Sequence, residues 1–347
     1  MSSVETAQAR NLVVVAASAG GVEPLRALAA GLPAGLEAAV LVVLHVSASG
    51  GSVLAGILDR AGPLKAAPAE DGAPVVHGEI RVAVPDHHLL VRDGHVRLSR
   101  GPRYNGHRPA ADLLFMSAAM DAGPRVSGIV LSGTLGDGAR GCAVIERRGG
   151  AVAVQDPAEA DFEGMPSAAL AATRAARVLP LAGLADWAVQ RSSVSVVTEE
   201  TMPETTPDTP DLDAEMEQEL ARYLSAQLPE TPKGELSGFT CPECNGPLYA
   251  SRGAPSSRYT CRVGHSWSME SMVSGQAEAV ERALWIAILR LEERLRLLQR
   301  MIHTAEERGH RMSARRLVEE ADETEEALRT IQGLQARVGT GEGLVEA

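Results

Sequence analysis

Three side chains of this sequence have the types needed for acyl-transfer chemistry: Ser18, His45 and Asp137. Each falls at the end of an apolar run, LVVVAA before Ser18, AAVLVVL before His45 and GIVL shortly before Asp137. In such chemistry His45 takes the Ser18 proton and returns one to the leaving group. Asp137 fixes the imidazole tautomer and favours its charged form. Ser18 lies in A-A-S-A-G-G, where small neighbours permit a sharp turn and close approach of a substrate, the geometry of a nucleophile elbow without its G-x-S-x-G spelling. Taken alone, that turn serves equally to open a helix that holds a phosphate, although the G-x-G-x-x-G and P-loop patterns are absent.

A second cluster is Cys241-x-x-Cys244 followed by Cys261-x-x-x-His265. Two ligands per knuckle and four in all suit a closed tetrahedral zinc site. The segment between the knuckles holds too few apolar residues for a core, so bound metal would supply its folding energy. A closed site keeps no open coordination position, so structural Zn2+ is expected and no cofactor for catalysis. A redox thiol pair is the alternative. Cys142, the fourth cysteine, lies in a helical pattern.

The elements that must position these groups follow from periodicity. Leu12–Ala16, 38–44, 128–131 and 151–155 read as strands buried on both faces. Helical spacing follows at 22–32, begins at Leu54, and recurs at 109–122 and 139–147. This alternation predicts an α/β fold with a doubly wound, mainly parallel sheet whose ligands bind beyond the carboxyl ends of the strands. The 63–98 stretch differs, with short alternating pieces and Asp-Gly at 71–72 and 93–94 that suggest hairpins. His87 and His88 read as loop residues without a role.

The same residues carry a family resemblance. ASAGG (17–21), His45, HRPAADLLFMSAA (107–119), GIVLSGTLGDGARG (128–141), AVAVQDP (151–157) and EGMPSAA (163–169) resemble the catalytic domain of chemotaxis protein-glutamate methylesterases in order and spacing. The resemblance implies Ser18 as nucleophile, His45 as base and Asp137 as third triad member. The Ala19 and Thr134 amides become oxyanion donors, and His107 and Arg108 fall near the substrate cleft. Two departures stand beside the site: His45-Val46-Ser47 where the family has His-Met-Pro, and Thr134-Leu135 in its G-M-G-x-D-G turn. Regulated members carry a receiver domain before the esterase. Here the first strand begins at Leu12, so control is expected from elsewhere.

Beyond Arg191 the composition changes. Residues 192–236 read as an acidic Pro/Thr/Glu-rich linker with a short helix at 211–228, its Met216, Leu220, Tyr223 and Leu224 on one face. The catalytic domain is thus 1–191, the ribbon-like module 237–274, and a helical hairpin or coiled coil 275–338. In that last part Val280, Leu284, Ile288, Leu291, Leu295, Leu298 and Ile302 form a seam interrupted at Gly309. Leu317, Ala321, Thr324, Leu328, Ile331 and Leu334 follow on one face of a second helix. The seam can be satisfied within the chain or by a homodimer.

A net charge of −12 over 347 residues argues against general nucleic-acid binding. With no signal-peptide pattern at the start and no apolar run of roughly 20 residues, a cytoplasmic protein without direct membrane insertion is expected. The combined reading is a serine hydrolase that removes methyl esters from glutamates of receptor-like coiled-coil proteins, and by family analogy deamidates glutamine. The competing reading is a weak or inactive sensory adaptor that binds partners through ribbon and tail; a ribbon-borne nucleic-acid regulator is a third.

Overall fold

The computed structural model describes residues 11–45, 53–193, 212–225, 232, 234–251 and 257–339. The departure at Val46-Ser47 and most of the linker lie outside these residues. By its contacts the chain divides into two units, 1–272 and 273–347.

In the first unit seven strands form one parallel sheet in the order β3-β4-β2-β1-β7-β8-β9. These are β1 (Leu12–Ala17), β2 (Ala39–Leu44), β3 (Lys65–Pro68), β4 (Glu79–Val82), β7 (Val126–Val130), β8 (Ala151–Gln155) and β9 (Arg177–Leu179). Helices α1 (Val22–Gly31), α2 (Leu54–Ala61) and α6 (Leu181–Ser192) cover one face, packing on Val13, Val15 and Ala17. Helices α3 (Ala111–Ala122), α4 (Ala139–Arg147) and α5 (Gly164–Ala172) cover the other, packing with Leu12, Val14 and Ala16. Burial of successive residues on opposite faces explains the uninterrupted apolar strands. Because β1 feeds a helix on one face and β7 a helix on the other, a crevice opens at their carboxyl ends.

The 63–98 stretch corrects one expectation. Asp93-Gly94, with φ of 52° and 68°, does turn a hairpin between β5 (His88–Arg92) and β6 (His95–Ser99). Asp71-Gly72 does not, because β3 and β4 run parallel in the main sheet. His88 is also no loop residue. It opens β5, is fully buried, and its Nε2 lies 2.9 Å from the Pro102 carbonyl.

Helix α7 (Leu212–Ser225) falls in the stretch read as linker, yet Met216, Leu220 and Tyr223 enter the same core as α3. Arg140 binds Glu219 at 2.9 Å, and Arg147 and Arg148 bind Asp213 at 3.0 and 3.1 Å. The acidic composition thus answers a basic face on α4.

Four antiparallel strands follow as β10 (Glu235–Thr240), β11 (Pro247–Ser251), β12 (Arg258–Cys261) and β13 (Ser266–Trp267). The second unit is built by α8 (Met269–Glu307) and α9 (Arg311–Gly339), which turn at Gly309 with φ 74°. Ile288, Leu298, Ala321, Thr324 and Leu328 are buried, and Arg294 reaches both Glu320 and Thr324 across the pair. The seam is therefore satisfied within the chain along most of its length, while Val280 and Leu334 at its ends stay exposed.

Candidate active site

Ser18 follows β1 directly, in a turn closed by the Gly21 amide on the Ser18 carbonyl at 3.0 Å. Two glycines are required there. Gly20 has φ 69°, and a Cβ on it would lie 2.8 Å from Asp161. A Cβ on Gly21 would lie 2.6 Å from that of Ala17. The Ser18 amide donates to the Ser132 carbonyl at 3.0 Å, tying the turn after β1 to the turn after β7. Ser132 extends the tie, its Oγ donating to the Ala19 carbonyl and accepting from the Phe162 amide, while Gln155 Oε1 accepts from the Ser132 amide.

His45 stands one strand away. Ala17 and Leu44 are register partners, and the His45 amide donates to the Ala17 carbonyl at 3.1 Å. Its Nε2 lies 2.8 Å from Asp137 Oδ2, with side-chain exposures of 6% and 1% for the two groups. An ionised carboxylate only accepts, so Nε2 carries the proton and Nδ1 the lone pair. Nδ1 is buried without a hydrogen-bond partner among the described residues. The ring nitrogens therefore exchange the roles they have in the serine-protease template, and Nδ1 is the basic atom.

Asp137 sits at the bottom of the turn after β7. Burial alone would push its carboxyl up, but the His45 hydrogen bond, the His45 and His107 rings and the Ala111 amide hold it below the ordinary range. Oδ2 also accepts from the Ala111 amide at 2.6 Å. Asp137 thus stays ionised and acceptor-only at neutral pH.

Three supporting residues escaped the sequence reading. Asn105 Nδ2 donates to Asp137 Oδ1 and to Asp112 Oδ2, both at 3.0 Å. Asp112 Oδ1 accepts the Gly138 and Gly141 amides at 3.1 and 2.8 Å, fixing the start of α4. Burial and then the charge of Asp137 raise the Asp112 carboxyl above its usual range. Met165 packs under Gly133, where an added Cβ would lie 2.2 Å from its sulfur and 2.9 Å from the Ser18 Cβ. Asp112 and Met165 lie in stretches that carry the family resemblance but were given no role, and Asn105 falls in no such stretch.

His107 lies flat on His45, and Arg108 points elsewhere. The Arg108 guanidinium donates to Asp86 Oδ1 at 2.9 Å and to the carbonyls of Arg100 and Gly101 at 3.1 and 2.8 Å. No hydrogen bond among the described residues engages the amides of Ala19 or Thr134.

Distant from these groups in sequence, the Cys241, Cys244, Cys261 and His265 ligand atoms all lie within 4.8 Å of one another. Tetrahedral zinc with the usual bond lengths sets ligand atoms about 3.5–3.8 Å apart. The Cys244–Cys261 sulfurs are 3.6 Å apart, and His265 Nδ1 is 3.7 Å from Cys241 and 3.5 Å from Cys261. The cluster fits zinc.

No helix among the described residues is long and apolar enough to cross a membrane. Protein-glutamate methylesterase/protein-glutamine glutaminase 2 of Caulobacter vibrioides is 40% identical over 185 residues, 52% of this chain and 53% of that protein. The corresponding protein of a Nocardioides species is 39% identical over 184 residues, 52% and 50% of the two chains. The chain spans about half the length of these curated relatives. The crystal structure of the Thermotoga maritima CheB methylesterase catalytic domain matches with a TM-score of 0.50 at 28% identity, covering 52% of this chain and 97% of that one. The sequence signature of CheB methylesterase spans residues 13–187 and takes in Ser18, His45 and Asp137, so the chain belongs to the CheB methylesterase family.

Proposed function

We propose that the chain is a serine hydrolase that cleaves glutamate methyl esters on a protein substrate. The observation that carries the reading is His45, fixed by Asp137 through Nε2 with its Nδ1 left bare one strand away from Ser18. Ser18 Oγ attacks the ester carbonyl while Nδ1 takes its proton. The oxyanion is met by the Ala19 and Thr134 amides. Collapse breaks the bond to methoxide, which takes the Nδ1 proton and leaves as methanol. Water, activated by the same nitrogen, then releases the carboxylate and restores Ser18.

Glutamine side chains present the same acyl carbon with ammonia as leaving group, and the names of the relatives pair the two activities. The substrate is a methylated, receptor-like coiled coil met in the cytoplasm, with His107 at the wall of the cleft. Arg108 is committed to Asp86 and acts there as an anchor, not as a substrate clamp. Structural zinc at Cys241, Cys244, Cys261 and His265 folds the ribbon. Self-association through the tail is supported by exposed Trp285, Ile286, Leu289, Leu297 and Met301, opposite the buried seam on α8.

The full chain should release methanol from a protein bearing glutamate methyl esters, and Ser18→Ala should lower the rate by about 10⁴-fold or more. Undiminished release by Ser18→Ala would end the catalytic reading. A folded chain with no hydrolysis, and no labelling of Ser18 by a serine-directed probe, would favour the adaptor.

A further inference from the structure

The ribbon touches the support of Asp137. Within the first unit, β13 runs beside residues 103–105, with the Asn105 amide donating to the Ser266 carbonyl at 2.7 Å and the Ser266 amide to the Arg103 carbonyl at 3.3 Å. Buried Trp267 covers Gly106, where an added Cβ would be 3.2 Å from the indole. Gly264, in the second ligand knuckle, fits against Pro102, which a Cβ there would meet at 2.8 Å.

Through this contact Arg258 of β12 reaches inward. It is 5% exposed, and its Nη1 donates to Asn105 Oδ1 at 2.9 Å. Ser266 Oγ accepts from its Nε and Nη2 at 3.2 and 2.9 Å, and its guanidinium carbon lies 4.1 Å from the centre of the Tyr104 ring. The Ser268 amide and Ser271 hydroxyl add weaker donors to the same Asn105 oxygen at 3.2 and 3.3 Å.

The Asn105 amide is thus polarised from both sides. Its nitrogen faces two buried carboxylates, Asp112 and Asp137, which accept; its oxygen faces donors that come from β12 and the residues after β13. The amide has one orientation that satisfies every partner. Arg258 also places a buried cation near a pair of buried acids, whose mutual repulsion would otherwise favour protonation of one. Asp112 is the acid whose carboxyl is raised, and the Arg258 charge opposes that rise. An Asp137 displaced from its Asn105 bond no longer holds the His45 tautomer.

We propose that Arg258 is a positioning residue for Asp137, acting through the Asn105 amide, so that the four-ligand ribbon takes part in assembling the triad. This role rests on the hydrolase reading for its kinetic consequence, but not for its effect on the His45–Asp137 bond.

The test compares the full chain with Arg258→Met, Arg258→Lys, Asn105→Ala, Ser266→Ala and the Arg258→Met/Asn105→Ala double variant. Two quantities are read: kcat and KM for methyl-ester hydrolysis, and the proton resonance of His45 Nε2–H, assigned by its loss in His45→Ala. Arg258→Met should lower kcat about tenfold at unchanged KM and move the resonance. The double variant should lose no more than Asn105→Ala alone, and Arg258→Lys should recover part of the loss. Ser266→Ala, which frees two of the arginine's three bonds to side-chain oxygens, should give a smaller change of the same sign and decides the matter if Arg258→Met does not fold. Unchanged kcat and resonance in the folded variants, or losses that multiply in the double variant, would overturn the proposal. If the wild-type chain hydrolyses no ester, that result counts against the hydrolase reading, and the resonance alone decides the positioning role.

Discussion

His107 and His45 stack face to face, with ring centroids 3.8 Å apart and planes 4° from parallel. Two imidazolium rings at that distance would repel, so the stack needs one neutral partner. Burial, and then the charge His45 gains, push His107 down to about 4 from its ordinary 6.5. His107 therefore stays neutral beside His45.

A folded histidine that titrates near 4 costs stability in acid. Between about 4 and 6.5 the unfolded chain binds a proton that the folded chain does not, so stability falls as pH is lowered through that window. The slope is at most about 1.4 kcal/mol per pH unit for each such group. His88, pushed to about 4 mainly by burial, adds a share of the same sign. His107→Phe keeps a stacked ring and removes one share. Urea midpoints of the full chain at pH 7 and pH 5 should lie closer together in this variant than in the wild type. Equal spacing would show that the stacked ring already binds its proton in the fold.

Asp137→Asn presents an amide where the His45 ring needs an acceptor, and it disfavours the tautomer with a bare Nδ1. The expected loss in kcat is about 10³–10⁴-fold with little change in KM, by analogy with the serine-protease triad. Measuring kcat and KM of the variant beside the wild type checks the assignment, since a change in KM alone would not fit it.

Gly133→Ala tests the packing beneath the nucleophile. The new methyl meets Met165 Sδ at 2.2 Å and the Ser18 Cβ at 2.9 Å unless something moves. Overpacking of this kind costs about 1–3 kcal/mol. Thermal unfolding should show that loss, and ester hydrolysis should fall because Ser18 is displaced. Met165→Ala in the same chain opens space below the methyl and should restore part of both.

Cys261→Ser removes one of four candidate ligands whose atoms gather within 4.8 Å of one another. Metal analysis should find about one zinc in the wild-type chain and little in the variant. Trp267, 2% exposed in the fold, should show red-shifted emission as the ribbon opens. A variant that loses metal but keeps a buried Trp267 would separate folding of the ribbon from zinc.

Much of this site was legible because parallel strands write their position plainly. Val13 to Ala17 and Val40 to Leu44 are buried on both faces, so each apolar run marks a strand, and the residue after it marks the edge where ligands bind. The ligand spacing of Cys241, Cys244, Cys261 and His265 was equally direct. Residues whose role lies in long-range pairing were not legible. Asn105 matters through Asp137, Asp112 and Arg258, separated from it by 32, 7 and 153 positions, and no local pattern encodes those distances. Helix α7 and its apolar face were legible at 211–228, but its docking on the core was hidden by composition, since an acidic stretch reads as solvated until the arginines of α4 are seen opposite it. Asp71-Gly72 misled because turn chemistry specifies a reversal of the chain, while sheet pairing decides whether the flanking strands meet.

The bond between Arg258 and Asn105 also sets an order in time. A ribosome delivers Ser18, His45, Asn105 and Asp137 early, and the guanidinium that steadies Asn105 only 153 residues after it. At about 5–20 residues per second, that interval is on the order of ten seconds. A nascent chain therefore holds Ser18, His45 and Asp137 before it holds Arg258, the residue proposed to brace Asn105.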